Sequence, residues 1–427
     1  MDNRTVAREI FSDALEASLP KNFISKHCRL EQNLLYVQSD VYNLDSYKNV
    51  YVFGSGKAAF TMAQEIEKLL GERIHKGLIV APKTDERLKF VQVCEGSHPL
   101  PSQKSFDAAC ELMEMMKEVQ KEDLFIYLLS GGSSALIELP LEPISLEEFQ
   151  KTTELMLHNA LEIQEINAVR KHISQIKGGR LAQNLEADGV VLVLSDILGD
   201  DLYSIGSAPL YADKSSFAQA KETLQTKKIF HLLPLSVQNL FNQGCDGEID
   251  ETPKSPKENV KHYLLASNTL ALNAAKESAT KHGLSVKIAQ NAMQGDVDEM
   301  IKEMLKTLQE SEEQCILFGG ECTVKVTSEN GQGGRNQHSV ALMLEKICQE
   351  SLDICFLSAG TDGIDGNSNA AGAVVSKADC STIKQEELQK CIKEFDTHNF
   401  FKKLNALVVT GASGTNVIDI AIIIKGE

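Results

Sequence analysis

Val50-Tyr51-Val52-Phe53-Gly54-Ser55-Gly56-Lys57-Ala58-Ala59-Phe60 is the stretch on which the fold turns. β-Branched and aromatic residues over Val50–Phe53 read as a buried strand. They run into glycines, and from Ala58 to Leu70 apolar residues return at steps of three and four, which is the helical period. Strand, glycine turn and helix in that order make the first half of a βαβ unit. The alternation continues outward. Apolar runs at Leu78–Val80, Leu124–Leu129, Val190–Leu194, Tyr263–Ala266, Ile316–Phe318, Ile354–Leu357, Leu407–Thr410 and Ile418–Ile424 are interleaved with helical patterns at Ser105–Val119, Leu146–His158, Thr269–His282 and Val297–Glu310. This predicts an α/β protein with mainly parallel sheets covered on both faces, and ligands at the carboxyl ends of the strands.

Length and charge narrow the function. The chain has 427 residues, with Lys+Arg 43 against Asp+Glu 60 and a net charge of −17. Nucleic acid and anionic membranes are bound through a surplus of Lys and Arg, so neither is the expected partner. An anionic ligand would need a local basic pocket. No apolar run approaches the roughly 18 residues of a membrane span. The N-terminal pattern mixes Asp2, Glu9, Asp13 and Glu16 into an amphipathic helix, unlike a targeting segment, and points to the cytoplasm. The ten cysteines show neither Cys-x-x-Cys nor zinc spacing and are expected as buried free thiols. A polar, acidic stretch at 243–257, carrying Pro253 and Pro256, reads as a linker or insertion between lobes at 1–242 and 258–427. A homo-oligomer is left open.

Glycine clusters follow the strands at Gly54-Ser55-Gly56-Lys57, Ser130-Gly131-Gly132-Ser133-Ser134, Gly319-Gly320-Glu321 and Gly360-Thr361-Asp362-Gly363. Bare backbone at strand ends binds anions, and four such loops predict a site for a polyanion. Gly54-x-Gly56-x-x-Ala59 is half of a dinucleotide fingerprint, because the acid expected at the end of the next strand is replaced by Ala81-Pro82-Lys83. The phosphate P-loop pattern fails at Tyr51 and Ala58. What remains is Lys57, a lysine on a glycine loop. Arg170 and Lys177, within Asn167–Arg180, read either as a solvated helix face or as ligand cations. Arg335, after Gly333 and Gly334, presents the fork that best captures carboxylate or phosphoryl oxygens. Asp196, Glu321 and Asp362 sit in strand-end loops and are candidates for Mg²⁺, whereas Asp200, Asp201 and Asp365 read as caps or turn formers. Ser133 and Ser134 lack a nucleophile elbow and are read as hydrogen-bond donors. His98, before Pro99, is equally a ligand contact or part of a turn.

Together the motifs VFGSGKAA (52–59), GSHPLP (96–101), LLSGGSSAL (128–136), INAVRKHISQIKGGRLA (166–182), LSDILGDDLYSIGSAP (194–209), FGGECTV (318–324), GGRNQ (333–337), GTDGIDG (360–366) and GTNV (414–417) resemble one family. It is the class of glycerate kinases that act at the 2-hydroxyl, whose C-terminal part is called the MOFRL domain, here about 312–423. The resemblance implies a Rossmann-like N-terminal lobe, a smaller C-terminal lobe and an active site in the cleft between them. It implies transfer of a phosphoryl group from ATP, with Mg²⁺, to D-glycerate, giving 2-phospho-D-glycerate. Lys57 and Arg335 fall on the family's motif lysine and arginine. Asp196 is the third catalytic candidate. Gly54, Ser55, Gly56, Gly131, Gly132, Ser133, Arg170, Lys177, Gly319, Gly320 and Gly334 are the expected phosphate and substrate contacts. The chain departs from the pattern at Ala208, where glycine precedes the proline, at Ala412-Ser413, where Pro-Thr is usual, and at Asn369, where Asp is common. A reductase acting on hydroxypyruvate with NAD(P)H, prompted by the half fingerprint, and a nucleotide sensor without turnover are the alternatives.

Overall fold

The computed structural model describes residues 2–328 and 331–426, with only the backbone described for 290–292. The chain divides into two compact units. One comprises Ile24–Leu194 and Asp200–Leu265; the other comprises the residues up to Phe23, Ser195–Gly199, and Ala266 onward. The N-terminal helix Asn3–Ser18 therefore belongs with the C-terminal half, where its Asp13 accepts a hydrogen bond from Ser278 Oγ at 2.6 Å.

The first unit is built on nine strands. β1 (Cys28–Glu31), β2 (Leu34–Val37) and β3 (Asp40–Asn43) form a small antiparallel meander that the apolar pattern did not announce, because its strands are short and half-buried. The main sheet holds β4 (Val50–Ser55), β5 (Ile74–Ala81), β6 (Gln92–Glu95), β7 (Leu124–Leu129), β8 (Asp188–Leu194) and β9 (Val260–Ala266) in the order β6-β5-β4-β7-β8-β9. The pairs β5–β6, β4–β5, β4–β7 and β7–β8 are parallel. Strand order reverses between β4 and β7, and in open α/β sheets that reversal is where ligands bind. β4 and β7 are buried along their whole length, so both must be apolar on both faces.

Helices Leu146–His158, Ile163–His172, Phe217–Thr226 and Leu235–Cys245 share a second core around Phe149, Met156, Phe217 and Phe241. The polar stretch expected as a linker is fastened into this unit. Thr252 is buried and its hydroxyl donates to Asp213 at 3.0 Å, while Glu251 accepts from Phe217 N at 2.9 Å and faces His172 Nε2 at 3.0 Å. Its Glu251 answers donors of the surrounding helices, a role that composition alone does not reveal.

The second unit contains β10 (Val286–Met293), β11 (Cys315–Gly320), β12 (Ile354–Gly360), β13 (Gly372–Ser376), β14 (Leu407–Val408) and β15 (Asp419–Lys425) in the order β10-β11-β15-β12-β13-β14. Only β10–β11 pair in parallel; every other neighbour is antiparallel, so this sheet is mixed rather than mainly parallel. The apolar run of β15 was read as a strand, but a run buried on both faces carries no information about direction. One cysteine expectation is also corrected. Cys348 and Cys380 form a disulfide with Cα atoms 5.4 Å apart, joining helix Arg335–Glu350 to the turn Lys377–Ser381; pairing of this kind cannot be deduced from cysteine spacing.

Ala208 has φ +54°, following Gly206 at +58° and Ser207 at +61°. A left-handed Cβ costs on the order of 1–2 kcal/mol, partly offset by alanine's smaller unfolded-state entropy. Ala208→Gly, which restores the residue usual in the resembled family, is expected to stabilise the chain by up to about 1 kcal/mol in urea titration. A loss of stability would contradict the strain.

Candidate functional site

In the first unit the candidate site grows from adjacent strand ends. β4 and β7 pair with Ser55 opposite Leu129, so the loops after them leave the sheet side by side. Lys57 N donates to Gly131 O at 2.8 Å and Ala58 N to Ser130 Oγ at 3.0 Å, which ties the two loops together. Gly56 has φ +134°, and a Cβ there would lie 2.1 Å from Ser130 Oγ. Only glycine allows this approach. Lys57 is left exposed, its stem crossing Gly132, where a Cβ would stand 3.0 Å from Lys57 Cγ and 3.2 Å from His98 Cδ2. Lys57, Gly132 and His98 are thus neighbours. Desolvation, then the Lys57 ammonium, lowers the His98 pKa to about 4, so the imidazole is uncharged at neutral pH.

The hydroxyls expected to face a ligand turn inward. Ser55 Oγ lies 2.6 Å from both Tyr127 OH and Ser133 Oγ, and Ser55 and Ser133 are fully buried. They are scaffold under the loops rather than phosphate contacts. Arg170 and Lys177 are corrected in the same way. Lys177 Nζ meets Glu138 Oε2 at 2.5 Å; Arg170 Nη2 donates to Ser134 O at 2.6 Å and stands 3.8 Å from Glu138. All three side chains are buried. Burial lowers Lys177 to about 8 against the pull of Glu138. Buried cations must be paired, and these two are spent on one buried carboxylate. Through Ser134, Arg170 holds the backbone that follows Gly131 and Gly132.

In the second unit the centre is Arg335, the first residue of helix Arg335–Glu350. Its Nε and Nη2 donate to the two carboxylate oxygens of Asp419 at 2.5 and 3.0 Å, and Nη1 lies 2.6 Å from Glu321. Asp419 opens β15 opposite Gly320 at the end of β11, and its side chain is 1 % exposed. Burial pulls the Arg335 pKa down, but Asp419 and then Glu321 outweigh it, and the guanidinium stays charged. Asp362 and Asp419 approach the same backbone atom: a Cβ on Gly360 would be 3.1 Å from an oxygen of each. Asp196 lies in the segment Ser195–Gly199 of the same unit.

The remaining glycines serve close packing. A Cβ on Gly319 would fall 1.8 Å from Asn268 Oδ1, and one on Gly320 2.2 Å from Met293 O; both residues are buried in the sheet and do not offer free phosphate donors. Gly334 sits against Asp365, whose carboxylate accepts from Asn336 N at 3.0 Å and Gln337 N at 2.8 Å. These two first-turn amides beside Gly334, expected as a phosphate contact, are therefore occupied by Asp365. Glu321, expected as a metal ligand, is engaged by Arg335.

Asp419 and Glu138 are the residues that sequence reasoning missed. Each is a lone acid in an apolar run, between Ile418 and Ile420 and between Ile137 and Leu139, and such a charge survives burial only beside a cation.

A parallel sheet with a lysine at its strand-order reversal, and a second α/β unit with a carboxylate-held arginine, characterise this α/β protein. Residues 6–242 match the family model described as "Domain of unknown function (DUF4147)", and 314–419 match "MOFRL family". The chain is 34% identical to "Glycerate 2-kinase" of Pyrococcus horikoshii, over 99% of this chain and 98% of that one. It is 32% identical to "Glycerate kinase" of Homo sapiens, over 97% and 91%. The crystal structure of glycerate kinase from Thermotoga maritima superposes with a TM-score of 0.84 at 32% identity, covering 99% of each chain. The chain belongs to the glycerate kinase family.

Glu138→Gln removes the carboxylate that, among the described residues, pairs with two buried cations, and loss of one partner from such a cluster costs about 3–5 kcal/mol. Urea unfolding should show that loss in the transition of the first unit. A change of under about 1 kcal/mol would mean Lys177 and Arg170 are satisfied without Glu138.

Proposed function

We propose that this chain transfers the γ-phosphoryl group of ATP to the 2-hydroxyl of D-glycerate, yielding 2-phospho-D-glycerate and ADP. The observation that carries the proposal is the pair of prepared cations. Lys57 is presented by two laced strand-end loops, and Arg335 is held in one orientation and kept charged by Asp419. Phosphoryl transfer asks for positioning and charge neutralisation more than for covalent participation. Relatives named glycerate kinase or glycerate 2-kinase along almost the whole chain support the substrate. Because ATP is the donor, we place the enzyme in the cytoplasm.

In the proposed reaction the glycerate 2-oxygen attacks the γ-phosphorus, the bond from that phosphorus to the β,γ-bridging oxygen breaks, and ADP leaves. Each within its own unit, Lys57 and Arg335 are cations suited to an anionic group of the reactants, a phosphate or the glycerate carboxylate. The hydroxyl proton passes to a carboxylate, for which Asp196 and Asp362 are the candidates. Gly131 and Gly132 border Lys57 and offer backbone to the same anion. His98, uncharged beside Lys57, is suited to hydrogen-bond a glycerate hydroxyl.

Among the described residues no three His, Cys, Asp or Glu side chains gather as a metal cage. Mg²⁺ takes one or two carboxylates and otherwise binds through substrate phosphates. Asp362 and Asp196 are the residues proposed to hold it; Glu321 is not, being paired with Arg335. When bound, the ion would offset negative charge on the nucleotide phosphates.

The reductase alternative has little support. β5 ends at Ala81 and is followed by Pro82 and Lys83, which gives no carboxylate for a ribose hydroxyl.

With MgATP and D-glycerate, the product should be consumed by enolase without a mutase, as a 2-phosphate is. Lys57→Ala and Arg335→Lys, which keeps a charge beside Asp419, should each lower glycerate-dependent ADP release by about 100-fold or more with little change in melting temperature. Near-normal turnover in both variants would refute the site, and a product that needs the mutase would refute the 2-hydroxyl.

A further inference from the structure

Beside Arg335, within the second unit, lies a pocket of about 520 Å³. That volume is in the range of small-molecule sites, roughly 300–1,000 Å³, and far exceeds what glycerate needs. Its lining combines the charged Arg335 and Glu321 with apolar Val324, Val326 and Phe395 and polar Asn367 and Thr397. Bare backbone at Gly331 and Gly333 completes the lining, and at Gly333 a Cβ would fall 2.1 Å from Thr397 Oγ1, so no side chain can project from that position.

His338 gives the pocket its selectivity. Its ring stacks on Phe395 with centroids 4.6 Å apart and planes 15° from parallel, and the two rings line the cavity together. The residue is 7 % exposed, and its Nδ1 is buried with no hydrogen-bond partner. Burial lowers its pKa, with only Asp298 opposing, so the ring is neutral at physiological pH. A neutral imidazole on a phenyl ring suits a flat, uncharged heteroaromatic group rather than a second anion. Arg335, one helical turn before His338 and in the same lining, suits a phosphate. A planar uncharged ring system joined to a phosphate is the chemistry of a purine nucleotide.

We propose that this pocket binds the base and ribose of ATP, with His338 and Phe395 against the purine and Arg335 toward the phosphates; the assignment rests on the kinase reading above. It makes the second unit the principal nucleotide-binding unit, although the half dinucleotide fingerprint lies in the first.

Photolabelling the wild-type chain with 8-azido-ATP, followed by peptide mapping, is expected to place ATP-protectable label on peptides containing Cys322–Val326, His338 or Phe395. Val326 is 61 % exposed, so Val326→Trp spares the core. It is expected to raise the KM for ATP by about tenfold or more and to leave the KM for glycerate within about twofold. Protectable label confined to residues 24–194 or 200–265, absence of label, or an unchanged KM for ATP in V326W would overturn the assignment. Failure of the kinase reading shows separately, as absence of glycerate-dependent ADP release from the wild type in the same series.

Discussion

Asp419 is a carboxylate at the start of a central strand with 1 % of its side chain exposed, and the second unit is arranged around meeting its charge. Desolvating such a group costs several kcal/mol unless a cation with matching geometry stands beside it. Arg335 supplies that match through two parallel hydrogen bonds, and in return its guanidinium loses most of its rotational freedom. The helix that carries Arg335 is itself seated by Asp365, which accepts two of its first amides. Gly360 has no side chain because Asp362 and Asp419 close on it from above. The result is a charged fork aimed before any ligand arrives, which lowers the ordering cost of catalysis.

The first unit uses the same device. A buried acid, Glu138, is met by Lys177 and Arg170, and Arg170 then fixes the Ser134 carbonyl beneath the loop that adjoins Lys57. In both units a buried ion pair sets the backbone, while the exposed charge that would touch a ligand is a different atom or residue. Buried salt bridges are weak contributors to stability, but removing one partner is expensive, and that asymmetry keeps a loop in one conformation. Overall acidity is compatible with this, since the net charge of −17 says little about a site where single cations are individually held.

The βα alternation was legible because β4, β7 and β8 are buried on both faces and their apolar runs stand out against amphipathic helices. Lys57 and Arg335 were legible because each follows glycines at a strand end or helix start. Strand direction in the second unit was not, as β15 shows, because burial on both faces erases the alternation that would distinguish orientations. Arg170 and Lys177 were misjudged because a cation's partner lies far along the chain, here at Glu138, and sequence shows the charge without the counter-charge. Ser55, Ser133, Gly319 and Gly320 were misjudged for a related reason: small residues near a site support it through close approach as often as they touch a ligand. A more careful weighting of isolated acids inside apolar runs would have found Asp419 and Glu138.

In the proposed reaction Asp419 holds Arg335 in the orientation that phosphoryl transfer to glycerate requires. Asp419→Asn keeps the shape of the side chain and removes the charge that fixes the fork. Steady-state kinetics of this variant with MgATP and D-glycerate is the direct test. A fall in kcat of about 10–100-fold is expected, the loss that follows when a prepared charge is misoriented, with a smaller change in the KM for glycerate. A kcat within about twofold of the wild type, with the fold intact by circular dichroism, would show that Arg335 does not depend on Asp419 and would contradict that role.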